Sequence, residues 1–210
     1  MMTNAIKKTE SRKVAQKKHK KEVDLIQAAY RLFLTKGSEN TSIDDIVKRA
    51  GVAKGTFYLY FKDKNELIDK IIMNSSGEII LKVYTKHVEK QYAKFEDLVI
   101  AVLDEIIELL RKNTALLSLI HRNVTWTLYK KALRKESGES LLDLLKKDEK
   151  YYNRNSNVSD DSFEKRMFIM LEMTTSMAYT TIVRNEPCGI DELKPTLYQM
   201  VRKMLREDDK

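Results

Sequence analysis

Apolar residues recur at steps of three and four along most of the chain, the spacing that lines one face of an α-helix. Leu25, Ile26, Ala29, Leu32 and Phe33 predict a first helix over about Lys21 to Lys36, stopped by Gly37. Ile43, Ile46, Val47 and Ala50 mark a short second helix that ends at Gly51, and Ala53 to Tyr60 forms a third. A longer helix covers about Asn65 to Val88 with Gly77 as a possible bend, followed by Phe95 to Leu110 and a short apolar segment from Thr114 to His121. The run VTWTLYKKAL comes next, then a break at Gly138 and the helix SLLDLLKKDEKYY. Residues 153–161, NRNSNVSDD, read as the clearest loop, and helices over about Ser162 to Arg184 and Asp191 to Arg206 complete an all-α chain.

The stretch TSIDDIVKRAGVAKGTFYLYFKDK, Thr41 to Lys64, has the most local detail. Thr41 or Ser42 can cap the helix that follows, and Asp44 and Asp45 lie in its first turn, where the helix dipole favours negative charge. Gly51 supplies the left-handed stop. The next helix carries Lys54, Thr56, Tyr58 and Tyr60 with no acidic residue among them. Two structures satisfy this pattern. One is an ordinary helical hairpin; the other is a helix-turn-helix, whose second helix enters the DNA major groove by its N-terminal end.

Composition and charge bear on that choice. The 210 residues contain two prolines, six glycines and one cysteine, Cys188, which favours helices and rules out an internal disulfide. The basic start lacks the apolar core of a signal peptide and no apolar run approaches a membrane span, so the expected location is the cytoplasm with no membrane partner. Of the net charge of +8, a surplus of seven sits in residues 1–70, with 16 Lys and Arg against 9 Asp and Glu. Much of it lies in an expected disordered arm, residues 1–20, where lysines beside a duplex would release condensed counterions.

From Ile46 to Leu67 the run of Ala50, Gly51 and Val52, then Gly55, Thr56, Phe57 and Tyr58, then Tyr60, Phe61, Lys62, Lys64, Glu66 and Leu67 resembles the DNA-binding signature of the TetR/AcrR family of transcriptional regulators. That resemblance implies a three-helix DNA-binding domain over residues 21–64 and a helical effector-binding and dimerisation domain over 65–210. It also implies a homodimer, most often a repressor, on a palindromic double-stranded operator. Ala53, Lys54 and Gly55 then match the positions nearest base edges, and Thr56, Tyr58, Tyr60 and Lys64 match positions that touch phosphate. Many members carry histidine where this chain has Tyr60. Thr41 and Ser42 complete the expected DNA-binding set, through phosphate contact, helix capping or both. Lys54 is the one long donor at the front of the helix able to reach a guanine edge.

The helix over Ser162 to Arg184 is unusual, since MFIMLEMTTSMAYTTIV holds four methionines, four threonines and one charge, Glu172. It suits a dimer core, a soft-walled pocket, or both on different faces. Dimerisation through the last two helices is the expectation, with Leu193, Leu197, Met200, Val201 and Met204 as the stripe of the final one. Walls for a small apolar or amphipathic effector are expected from Tyr84, Phe95, Val102, Ile106, Trp126, Tyr129, Met170, Met173 and Met177, although each also reads as plain core. Glu172 would face that pocket, the dimer interface or solvent.

Two other functions compete. An enzyme would need paired carboxylates in a cleft, and Asp104, Glu105 and Glu108 read instead as a solvated helix face. A helical interaction module with a motif that does not bind DNA differs from a regulator in lacking salt-dependent, sequence-selective binding. His19, His87 and His121 are scattered, so neither a metal nor another cofactor is called for.

Overall fold

The structure, a computed structural model, describes residues 2–125, 127–129, 140–152 and 160–206, except for the side chains of residues 2–15 and 160–161. Two compact units divide the chain, Met1–Ile71 and Ile72–Lys210. The division falls inside one helix and several residues beyond the boundary expected at 64.

In the first unit, helix α1 spans Met2–Lys36, α2 Ile43–Ala50 and α3 Lys54–Tyr58, and α4, Lys64–Val88, begins. Helix α1 starts at Met2, well before the expected Lys21 and through residues expected to form a disordered arm. The reason lies in composition: this stretch has neither Gly nor Pro and is rich in Lys, so extending a helix already anchored by its C-terminal half costs little per residue. That half is anchored by Leu25, Ala28, Ala29 and Phe33, buried together with Ile46, Val47, Phe57, Phe61 and Leu67. Val52 is only half-buried.

In the second unit, α4 continues without interruption across Gly77. It is followed by α5 Phe95–Arg111, α6 Thr114–Asn123, α7 Leu141–Tyr152, α8 Asp160–Tyr179, a π-helical turn Thr180–Arg184, and α9 Ile190–Leu205. Ser140 begins α7 by a reciprocal cap: its hydroxyl accepts from Asp143 N–H, and its own N–H donates to the Asp143 carboxylate. The core is built from Phe95, Leu103 and Ile107 of α5, Leu141 and Leu142 of α7, Phe163 and Met167 of α8, and Leu197, Val201 and Leu205 of α9. The break at Gly138, most of the expected loop over 153–161 and Trp126 lie outside the described residues. No described helix is long and apolar enough to cross a membrane.

Candidate nucleic-acid interface and ligand cavity

Helix α2 is fixed at both ends. The Ser42 hydroxyl accepts from Asp45 N–H at 3.1 Å, and Ser42 N–H donates to the Asp45 carboxylate at 2.9 Å, a reciprocal box that satisfies two orphan groups. Lys36 Nζ reaches the same carboxylate at 2.8 Å, and with the Ser42 bonds this holds the Asp45 pKa far below the usual carboxylate range. At the other end Gly51 takes φ 68°, the left-handed conformation expected of it. Three residues later α3 begins, and its Phe57 is fully buried, so the helix is pinned by one aromatic while its other side faces out.

Ala53, Lys54, Gly55 and Tyr58 are exposed on that outer side, and Thr56 and Tyr60 are half-buried. A Cβ added at Gly55 would meet no atom within 4 Å, so packing inside the chain does not require a glycine there. Leu59, on which no sequence signal bears, is 75% exposed.

Three expected contacts are placed differently. Thr41 is 1% exposed and its hydroxyl donates to Gly37 carbonyl at 2.7 Å, so its side chain belongs to the α1–α2 turn and the capping falls to Ser42 alone. Lys64 Nζ donates to Ser38 carbonyl at 3.0 Å and Thr41 carbonyl at 3.2 Å, which ties the start of α4 to that same turn. Lys54 does have an acidic neighbour, not in sequence but across the helix pair: its ammonium lies 2.9 Å from Asp44 Oδ1, and this bond raises the Lys54 pKa. Both side chains remain more than half exposed.

The second unit contains a cleft among α4, α5, α6 and α8, with about 540 Å³ of empty space, open solvent at its mouth included. Its walls are almost wholly apolar. Of the nine residues expected to line a pocket, Ile106 and Tyr129 do. Phe95, Tyr84 and Met170 are instead packed into the main core, with Met173 and Met177 half-buried against it, and Val102 packs with Val83 and Leu98. Helical spacing identifies which side chains face a neighbouring helix, and most of those positions are filled by contact, leaving few for a cavity. Glu172 is exposed in the single chain. Burial raises the Tyr129 pKa, and its hydroxyl pairs with Thr175 at 3.0 Å.

Ser76 and Thr174 also border the cleft and escaped the sequence reading, because small hydroxyl residues within a helix give no periodic signal. Asp104, Glu105 and Glu108, expected on a solvated face, bind partners: Lys194 bridges Asp104 and Glu108, and Glu105 takes Lys86 and His87 at 2.8 Å each.

A family model described as bacterial regulatory proteins, tetR family, matches residues 25–71. Over 129 residues, 61% of this chain and 69% of the relative, the sequence is 30% identical to a helix-turn-helix transcriptional regulator of Staphylococcus aureus USA300. The chain belongs to the TetR family of transcriptional regulators. A shorter stretch of 50 residues is 54% identical to YvdT, an uncharacterised helix-turn-helix regulator of Bacillus subtilis, and spans only 26% of that protein. The TetR fold extends through both units: a FadR repressor of Thermus thermophilus in complex with lauroyl-CoA superposes over 90% of this chain and 98% of its own, with TM-score 0.65 at 16% identity. Identity is lower in the comparison that spans most of the chain.

Proposed function

We propose that this TetR-family protein is a repressor that binds a palindromic operator as a homodimer in the cytoplasm and leaves it when a small, largely apolar ligand occupies the cleft of the second unit. The observation that carries the DNA-binding part is the outward side of α3, where Ala53, Lys54, Gly55 and Tyr58 are exposed on a helix held by a buried Phe57. Lys54 reads a guanine edge, and Gly55 lets the backbone approach the duplex. Hydroxyls of Thr56, Tyr58 and Tyr60 hold phosphates, which fixes register without reading sequence. Ser42 lies exposed at the start of α2 and adds a phosphate contact. Lys64 contributes through charge while bound to its turn.

Two such heads must engage successive major grooves about 34–36 Å apart or at a multiple of that distance. Helix α4 carries residues of both units, Lys64–Ile71 of the first and Ile72–Val88 of the second, so a ligand that favours one disposition of α4 changes the head spacing. Reciprocity then requires the operator to weaken the ligand by the same factor. FadR of Thermus thermophilus was crystallised with lauroyl-CoA. For this chain an uncharged, largely apolar ligand is favoured, because none of the described lining side chains of the cleft is charged.

Selection of bound fragments from random DNA tests the reading, with affinity followed against salt. The expected result is a two-fold symmetric consensus and a steep loss of affinity with added salt. Lys54→Ala should weaken the selected operator about ten- to a hundredfold and Tyr58→Phe a few-fold, with melting temperature unchanged. Absence of enrichment would favour an interaction module that does not bind DNA.

A further inference from the structure

We infer that the cleft in the second unit is selective for a neutral, mostly apolar ligand bearing a carbonyl group, whose oxygen accepts hydrogen bonds from Ser76 and Thr174. The inference rests on the ligand-responsive reading above and specifies the chemistry of its site.

Ser76 on α4 and Thr174 on α8 are 4% and 6% exposed, and neither hydroxyl has a hydrogen-bond partner among the described residues. A buried hydroxyl left unpaired is costly, and a helical Ser or Thr has an easy remedy in the carbonyl one turn back. Other residues of this chain take it: Thr85 donates to Leu81, Ser118 to Thr114, Thr180 to Ser176 and Thr181 to Met177, all at 2.7–2.9 Å. Ser76 and Thr174 do not. Both border the same cleft. The other polar pair on its wall, Tyr129 and Thr175, is already mutually bonded. As the side chains stand neither oxygen opens into the cleft, and a turn about χ1 presents each of them to it as a donor.

The donors set the ligand class. A carbonyl oxygen has two lone pairs and no proton, so it accepts from both hydroxyls and leaves nothing unpaired. A carboxylate also accepts two bonds, but it would bring a charge into a wall whose described side chains include no cation. An ammonium would lack a counter-charge there. The apolar remainder of the ligand lies against side chains such as Ile79, Leu103 and Ile106. A carbonyl held in this way bridges α4 to α8, which is how occupancy would act on the helix shared by both units.

Calorimetric titration of the full-length protein with 2-heptanone, hexanoate and hexylamine provides the test, in wild type and in Ser76→Ala, Thr174→Val and Thr174→Ser. The ketone should bind at least about tenfold tighter than either charged probe. Ser76→Ala and Thr174→Val should each weaken the ketone about two- to tenfold, while Thr174→Ser, which keeps the hydroxyl, restores binding. Thermal melting reports whether each variant folds, and Thr174→Val with its Ser counterpart carries the test alone if Ser76→Ala does not.

Equal binding of hexanoate or hexylamine overturns the inference. So does a ketone affinity indifferent to both hydroxyls, or no ketone binding at all. Operator release, measured in parallel, separates this inference from the broader reading. Ketone binding that depends on Ser76 and Thr174 but leaves DNA affinity unchanged defeats only the ligand response. DNA release by a probe that ignores both residues defeats only the carbonyl assignment.

Discussion

Asp44 and Lys54 form a pair with a consequence for DNA reading. The ammonium proposed to read a guanine is held by a carboxylate across the helix-turn-helix, and that bond must be exchanged for the base when the duplex arrives. Exposed pairs of this kind are weak, so Asp44 tunes affinity and does not block binding. Its second effect is repulsion of nearby phosphates. Asp44→Asn should therefore tighten operator binding about two- to fivefold, with a smaller gain in discrimination than in affinity because phosphate contacts strengthen on every sequence. Fluorescence anisotropy on the selected operator and on a scrambled duplex measures both; an unchanged or weaker operator affinity would show that Asp44 does not compete for Lys54. The same substitution removes a favourable charge from the first turn of α2, so a slightly lower melting temperature accompanies the tighter binding.

The packing of α9 on α5 shows what an element can conceal in sequence. Arg111 pairs with Asp191, Lys194 with Asp104 and Glu108, Tyr198 with Asp104, Arg202 with Asp97, and Arg206 with Glu96. On α9 these positions advance by three or four, a second stripe beside the apolar one of Leu197, Val201 and Leu205. Burial alone would raise the Asp104 pKa, but bonds from Lys194 and Tyr198 outweigh it and hold the group below its ordinary value; the Arg111 bond lowers Asp191. A carboxyl whose pKa is lower folded than unfolded contributes stability above the unfolded value, about 3.9 for Asp, and loses it as pH falls through the folded value. Melting temperature should thus drop below about pH 4. An Asp104→Asn, Asp191→Asn variant should start lower at pH 7 and lose less on acidification; a drop as large as in wild type would place the acid sensitivity elsewhere. At the alkaline end burial and the Asp104 bond raise the Tyr198 pKa, so its share of stability persists through neutral pH and is lost only as pH rises beyond the ordinary tyrosine range.

For the molecule as a whole, the exposed apolar residues suggest how two copies meet. Phe168, Ile169, Val183 and Met200 are each 40–51% exposed in the single chain and come from α8, the π-helical turn and α9. The expected stripe on α9 is divided: Leu197 and Val201 face the core, whereas Met200 faces outward. Under the proposed dimer through these two helices, Ile169→Glu with Met200→Glu places charge in an apolar interface and should give a monomer by analytical ultracentrifugation. Operator affinity should fall far more than for a single lost contact, since two linked heads gain from effective concentration and one head does not. A double variant that stays dimeric with full operator affinity would move the interface to another face.

Local physics made the head legible. The Ser42 cap, the Gly51 stop, the apolar positions of α1 to α3 and the charge surplus of the first 70 residues are properties of neighbouring residues, and the structure keeps each of them where periodicity and capping chemistry put it. The start of α1 was missed because a polar, helix-favouring stretch gives little apolar signal. For Thr41, Lys64 and Lys54 the sequence implies contacts to phosphate or base edges, or for Thr41 a helix cap, because their partners, Gly37, Ser38 and Asp44, meet them only across a turn or between helices. The cleft was the least legible feature. Whether an apolar residue at helical spacing fills a core, as Phe95 and Met170 do, or borders a space, as Ile106 and Tyr129 do, depends on how closely three or four helices approach. Sequence determined the helices, their caps and the basic head; only tertiary packing decided which donors are occupied and which two hydroxyls, Ser76 and Thr174, are left without a partner among the described residues, because hydrogen-bond satisfaction depends on distance in space and not on position along the chain.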